Sequence, residues 1–179
     1  IERDPTYEHA STPRSNGGIR RLFSLPENID MASYGLAFYA DFASAMAIDE
    51  QPADIGFLRQ GYLFISDAGG AAQMEENFAL QQSMGVEAEL LTPSELRTRF
   101  ASLSSDGVDL AVLSSNDAWI DPYAALMGFK RKARALGVSY LHNDIAALQA
   151  DGVALRAARC TDGTMIHADV FVNACGAWC

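Results

Sequence analysis

Val170-Phe171-Val172-Asn173-Ala174-Cys175-Gly176-Ala177-Trp178 opens on apolar residues and closes on small ones. Branched and aromatic side chains suit a pleated, buried segment. Glycine and alanine let the backbone approach a neighbour closely. The stretch therefore reads as a buried strand, residues 170–174, running into a tight turn. Just upstream, Asp151-Gly152 and Asp162-Gly163 each sit between short apolar runs. Asp-Gly favours two-residue hairpins, so residues 153–159, 164–167 and 170–174 form a small meander. Residues 138–142 read as one more strand.

Further upstream the punctuation changes to that of helices. Asp121-Pro122 puts a carboxylate at an N-cap and proline at the first helical position. That helix runs to Leu136 and stops at Gly137, with Lys130, Arg131, Lys132 and Arg134 as one solvated face. Thr92-Pro93-Ser94-Glu95 matches a capping box, and so does Ser24-Leu25-Pro26-Glu27. The second is expected to open a mostly buried helix reaching about Met46. Residues 71–84 read as a helix ended by Gly85, and residues 61–66 and 108–114 as strands. This order of elements is α/β, with an α+β part.

Composition excludes several classes. The chain has 179 residues, 49% hydrophobic and 20% charged, with a net charge of −10. That is a globular composition, and the acidic balance argues against a nucleic-acid face. No apolar run approaches the length of a membrane helix. The three cysteines contain no C-x-x-C pair, and His9, His142 and His167 are scattered. This is no metal-ligand pattern, and it reads as reduced thiols in a cytoplasmic protein. The chain begins at Ile1 without a charged-then-apolar leader and stops just past an apolar stretch. We read it as a piece of a longer protein.

Two places carry residues suited to chemistry. Glu2, at the end of a short strand, has the acceptors that bind a ribose diol. Arg14-Ser15-Asn16-Gly17-Gly18-Ile19-Arg20-Arg21 combines adjacent glycines with three arginines in an acidic chain. It is either a surface turn or an anion site. His9 reads as a surface-loop residue, His142 and His167 as structural. Asp117 and Asp121 flank Trp119, and the N-cap role suffices for Asp121. Tyr62 and Phe64 share one strand face, as core or as cavity wall.

Taken together, these segments resemble the FAD-dependent amine and amino-acid oxidoreductases, the family of D-amino acid oxidase, glycine oxidase and sarcosine oxidase. Ile1-Glu2-Arg3 resembles the end of the family's second Rossmann strand. Residues 11–20 resemble the loop that passes the pyrophosphate and reaches the flavin. The helix opened by Asp121-Pro122 resembles the one leading back to the cofactor domain. Val172-Asn173-Ala174-Cys175-Gly176-Ala177-Trp178 is similar to the family's V-N-A-A-G-A-W.

The resemblance implies a Rossmann-like FAD-binding domain with an inserted mixed-sheet substrate domain, both present in part. Residues 1–48 and 119–179 would be the cofactor part, and residues 49–118 the substrate part. It implies that Glu2 and Arg3 meet the adenosine, that Ser11, Thr12, Ser15, Asn16, Gly17, Gly18 and Ile19 line the pyrophosphate and flavin, and that Ile145 meets the adenine. Ala174, Gly176 and Trp178 would form the turn beside the cofactor. Arg20 would face a substrate carboxylate, with a structural ion pair as the alternative and Arg21 as a substitute. Arg14 stands where one branch has a flavin-linking histidine, so the FAD is expected to be non-covalent. The implied activity is oxidation of a C–N bond, with oxygen or an electron carrier as acceptor. The competing readings are a non-catalytic assembly protein on the same fold and a C–O dehydrogenase of the glycerol-phosphate type.

Overall fold

The computed structural model describes residues 1–178. In chain order its elements are β1 (Gly18–Ile19), α1 (Pro26–Ala40), α2 (Phe42–Ala45), β2 (Leu58–Arg59), β3 (Tyr62–Ser66), α3 (Ala71–Ser83), β4 (Ala88–Leu91), α4 (Pro93–Arg99), β5 (Leu110–Ser114), β6 (Ala118–Trp119), α5 (Pro122–Ala135), β7 (Ile145–Asp151), β8 (Ala154–Cys160) and β9 (Met165–His167). A 3-10 turn at Gly176–Trp178 follows. The fold is mixed α/β, as expected. It divides into two compact units, Asn16–Phe129 and Ile1–Ser15 joined with the chain from Lys130 onward.

The first unit is built on an antiparallel sheet of order β3-β5-β4. Tyr62 and Phe64 lie opposite Ser114 and Val112, so period-2 alternation puts all four on one face. That face packs on Leu22, Ile29 and Val86, with Met74 and Phe78 of α3 alongside. The other face presents Leu91 and Ala111 to Leu96 of α4. A third cluster gathers Phe42, Ala53, Ile55, Ile120 and Ala125. Phe42 is fully buried, which contributes about 2–3 kcal/mol of transfer free energy. Its ring meets Phe129 edge-on at 5.2 Å. That fit is possible because α5 carries Gly128, where a Cβ would lie 2.6 Å from the Phe42 ring.

Local signals held where nothing competed with them. Thr92 Oγ1 accepts from the Glu95 N–H at 3.3 Å, and Glu95 Oε2 accepts from the Thr92 N–H at 2.8 Å, completing the expected box. Asp121 Oδ1 accepts from the N–H groups of Tyr123 and Ala124. The Ser24 box does not form. α1 starts at Pro26, with Leu25 as N-cap and no side-chain cap. Proline fits the first helical position because it lacks an N–H, and this leaves Ser24 outside the helix. Glu27 then falls one residue short of the third helical position. The helix also breaks at Asp41 and is not mostly buried. Of its residues Ile29 and Leu36 are buried, whereas Tyr34 is 75% exposed. On the second aromatic face Phe38 packs against Phe42 and Phe129, and Tyr34 is left to solvent.

In the second unit, β7, β8 and β9 form a meander through both Asp-Gly turns, but its outer strand is residues 145–151 and not the expected 170–174. Residues 138–142 do not form a strand. They reduce to one parallel bridge between Glu2 and His142, with Glu2 N–H donating to Leu141 O and Asn143 N–H donating to Glu2 O. Residues 170–174 are likewise not a strand, and Val170 and Val172 are exposed. Apolar branched residues favour extended backbone, but a strand also needs a ladder partner, and no described residue pairs with this stretch.

Lys130 places its ammonium 4.6 Å from the Tyr7 ring centre and 4.8 Å from that of Tyr140. The two hydroxyls share a hydrogen bond. Burial, and secondarily the Tyr7 hydrogen bond, push the Tyr140 phenol up to about 12. A raised folded-state value favours the neutral phenol. Its stabilising contribution is therefore complete below the ordinary value of 10.0 and is lost as pH rises through about 12. A phenolate absorbance titration should show a late-ionising component that shrinks by one tyrosine in Tyr140→Phe, burial keeping the Tyr39 phenol raised as well. Loss of no late component in that variant would overturn the assignment. Among the described residues no helix is long and apolar enough to cross a membrane.

Candidate functional site

The segment carrying the paired glycines is held by a second, very small sheet. β1 pairs antiparallel with β6, Gly18 opposite Trp119 and Ile19 opposite Ala118, and β2 pairs with the other edge of β6. The Trp119 indole N–H donates to Asn16 O at 2.7 Å, and the Ile120 N–H donates to Gly17 O at 2.9 Å. Gly17 has φ +73°, and a Cβ there would stand 2.0 Å from Ile120 O. A Cβ on Gly18 would overlap the Tyr62 hydroxyl. Both glycines thus have a packing reason that involves no ligand: β6 and Tyr62 approach too closely for any side chain.

Next along the chain are two arginines in different environments. Arg21 Nε donates to Asp117 Oδ1 and the Arg21 N–H donates to Asp117 Oδ2, both at 3.0 Å. Asp117 is fully buried, and the Arg21 side chain is 12% exposed. One Nη of Arg21 is buried without a partner. Arg20 makes no ion pair among the described residues. Its guanidinium lies 4.9 Å from the Phe23 ring centre and 5.5 Å from that of Phe64. Its Nε is buried without a partner. Rings that cover the flat faces of a guanidinium leave its N–H edge for an acceptor. Asp117 is the residue that the sequence reading noted beside Trp119 without giving it a role. It pairs 96 positions from Arg21, and no local spacing announces such a pair. Asp121 is the N-cap that was expected.

The remaining expected residues lie in the other unit. Glu2 is half-buried, and its Oε1 accepts from the Asp4 N–H at 2.9 Å. Arg3 lines a polar cavity of about 590 Å³ together with Asp4, His9, His142, Asn143 and Asp144. Ser11, Thr12 and Ser15 occupy consecutive turns closed by Arg14 N–H to Ser11 O and Ser15 N–H to Thr12 O, and all three are exposed. The Arg14 guanidinium contacts Glu8 O and the His9 ring. The Ile145 N–H is taken by Asp144 Oδ1 at 2.8 Å. Ala174 and Gly176 are exposed. The side chain of Trp178 lies outside the described residues. The structure therefore gathers Asn16 to Arg20 with Trp119 and Tyr62 in one unit, and Glu2 and Arg3 with His142 in the other.

Comparison with known proteins gives a consistent result. A family profile described as "DAO: FAD dependent oxidoreductase" matches residues 1–179. A Xenopus laevis protein, "FAD-dependent oxidoreductase domain-containing protein 1", is 34% identical over 198 residues, covering 99% of this chain and 40% of that protein. The "4-methylaminobutanoate oxidase (formaldehyde-forming)" of Paenarthrobacter nicotinovorans is 27% identical over 151 residues, covering 83% of this chain and 18% of that protein. The crystal structure of L-proline dehydrogenase from P. horikoshii superposes with a TM-score of 0.81 at 24% identity, covering 93% of this chain and 43% of that one. This last likeness is one of fold. The chain spans less than half the length of each of these proteins.

Proposed function

Because the chain belongs to the FAD-dependent oxidoreductase (DAO) family, we propose that the protein oxidises a C–N bond of an amino acid, or of a secondary or tertiary amine that carries a carboxylate. Bound non-covalently, FAD would supply the hydride acceptor for the hydrogen on the carbon beside nitrogen, and water would hydrolyse the resulting imine or iminium. Oxygen or an electron carrier is the final acceptor.

The observation that carries this reading is the contrast between Arg20 and Arg21. Arg21 is neutralised by the buried Asp117, whereas Arg20 keeps an unpartnered buried Nε beside two rings. A charge-assisted, two-pronged hydrogen bond to a carboxylate is the interaction that such an edge makes best. Aromatic walls lower the local dielectric and strengthen it. The name of one relative, a methylaminobutanoate oxidase, refers to a nitrogen compound that also bears a carboxylate, which supports the same class.

The donors and acceptors present also fit the cofactor. Glu2 has a second carboxylate oxygen to accept from ribose hydroxyls, next to Arg3. The hydroxyls of Ser11, Thr12 and Ser15 and the amide of Asn16 are exposed donors suited to a pyrophosphate. Gly17, Gly18 and Ile19 would lie along the flavin. Ile145, Ala174, Gly176 and Trp178 complete the proposed set. The test is anaerobic addition of an amine panel to the full-length, FAD-loaded protein. Carboxylated amines should bleach the visible flavin band, and a panel that leaves it unchanged would overturn the proposal.

A further inference from the structure

A cavity of about 240 Å³ lies between α3 and the sheet, lined by Leu22, Phe64, Met74, Asn77, Gln81 and Val112 among others. No charged side chain lines it. Gln81 is 4% exposed, and its Nε2 donates to Phe23 O at 3.0 Å. A carbonyl can only accept, so this bond fixes the amide orientation and assigns the other end as Oε1. That oxygen is buried and has no partner among the described residues. Buried polar atoms are nearly always satisfied, so an orphaned acceptor on a cavity wall calls for a donor from the cavity.

The same elements touch Arg20. Phe64 lines the cavity and also carries the Arg20 guanidinium over its ring. Phe23 contacts Arg20 through its ring and Gln81 through its carbonyl. The Arg20 cation and an orphaned neutral acceptor therefore share two aromatic neighbours. We propose that this cavity receives the side chain of the substrate, and that Gln81 Oε1 accepts a hydrogen bond from a hydroxyl or amide N–H carried on an otherwise apolar chain. The proposal rests on the carboxylate reading of Arg20. An ammonium is disfavoured here, because the walls offer no counter-charge for a desolvated cation. A water occupies about 30 Å³ of liquid, so the volume admits a chain of several carbons.

The test uses carboxylates without a C–N bond, so that binding is read apart from oxidation. Pentanoate and 5-hydroxypentanoate are titrated calorimetrically into the full-length, FAD-loaded protein. The hydroxylated compound should bind roughly 10-fold more tightly, since only it satisfies the buried oxygen. Gln81→Leu should erase that preference while pentanoate still binds. Met74→Phe narrows the cavity from a position two turns away on the same helix, leaves Gln81 in place and should weaken both compounds; thermal melting verifies that each variant folds. Equal or tighter binding of pentanoate by the native protein would overturn the subsite and leave C–N oxidation standing. So would binding of neither compound by a protein whose flavin the amine panel still bleaches. Binding of neither, together with no bleaching, would overturn both readings.

Discussion

Asp117→Asn should destabilise the protein by about 3–5 kcal/mol, the cost of leaving a desolvated cation without its partner. Asp117 is fully buried, and its partner Arg21 is nearly so. Asparagine keeps the shape and one acceptor but removes the charge. The carboxylate also accepts the Arg21 backbone N–H, while the Asp117 carbonyl accepts from Gln60 and Gly61 N–H groups. One residue thus ties the glycine segment to the approach of β3. Urea unfolding measures the loss through the midpoint at constant slope. A change below about 1 kcal/mol would mean that the pair is a solvated contact. Removing both charges, as in Asp117→Leu with Arg21→Met, should recover most of the loss, because well-packed apolar residues match a buried pair.

Arg20→Met should lower kcat/KM for a carboxylated amine by about 100- to 1,000-fold, in line with truncation of one partner of a buried charged hydrogen bond. Turnover of an amine without a carboxylate should change little. Methionine retains apolar contact with Phe23 and Phe64, so the substitution removes charge and not packing. Arg20→Lys should recover part of the rate, since lysine offers a point charge without the planar fork. An equal loss for charged and neutral amines would show that Arg20 supports the loop and not the substrate.

These two expectations mark what a linear sequence can convey. Arg20 and Arg21 were both readable as candidates, because three arginines beside two glycines oppose the charge of the chain. Only the fold separates them, through an aspartate 96 positions away. The helix opened by Asp121-Pro122 was legible since its cap, first residue and terminating glycine are all local. The Ser24 box misled because two local rules competed, and proline at the first helical position prevailed. Residues 138–142 and 170–174 have strand composition, but pairing is a property of neighbours, which composition does not encode. Gln81 was hidden differently. Reading α3 by its apolar residues Ala71, Met74 and Phe78 passes over a glutamine on the core side. The spacing from Asn77 to Gln81 is one helical turn and was the available signal.

The bond from the Trp119 indole to Asn16 O has a further consequence. It joins a chromophore to the backbone of the segment that carries Arg20, with a single donor at a single distance of 2.7 Å. The emission of an indole depends on whether its N–H is engaged and on how wet its surroundings are. Any excursion of that segment must break this bond and strip β1 from β6, so it writes itself into the fluorescence. With two tryptophans in the chain, this one serves as an optical gauge of the loop, readable in a stopped-flow mixer on the millisecond scale without any attached dye.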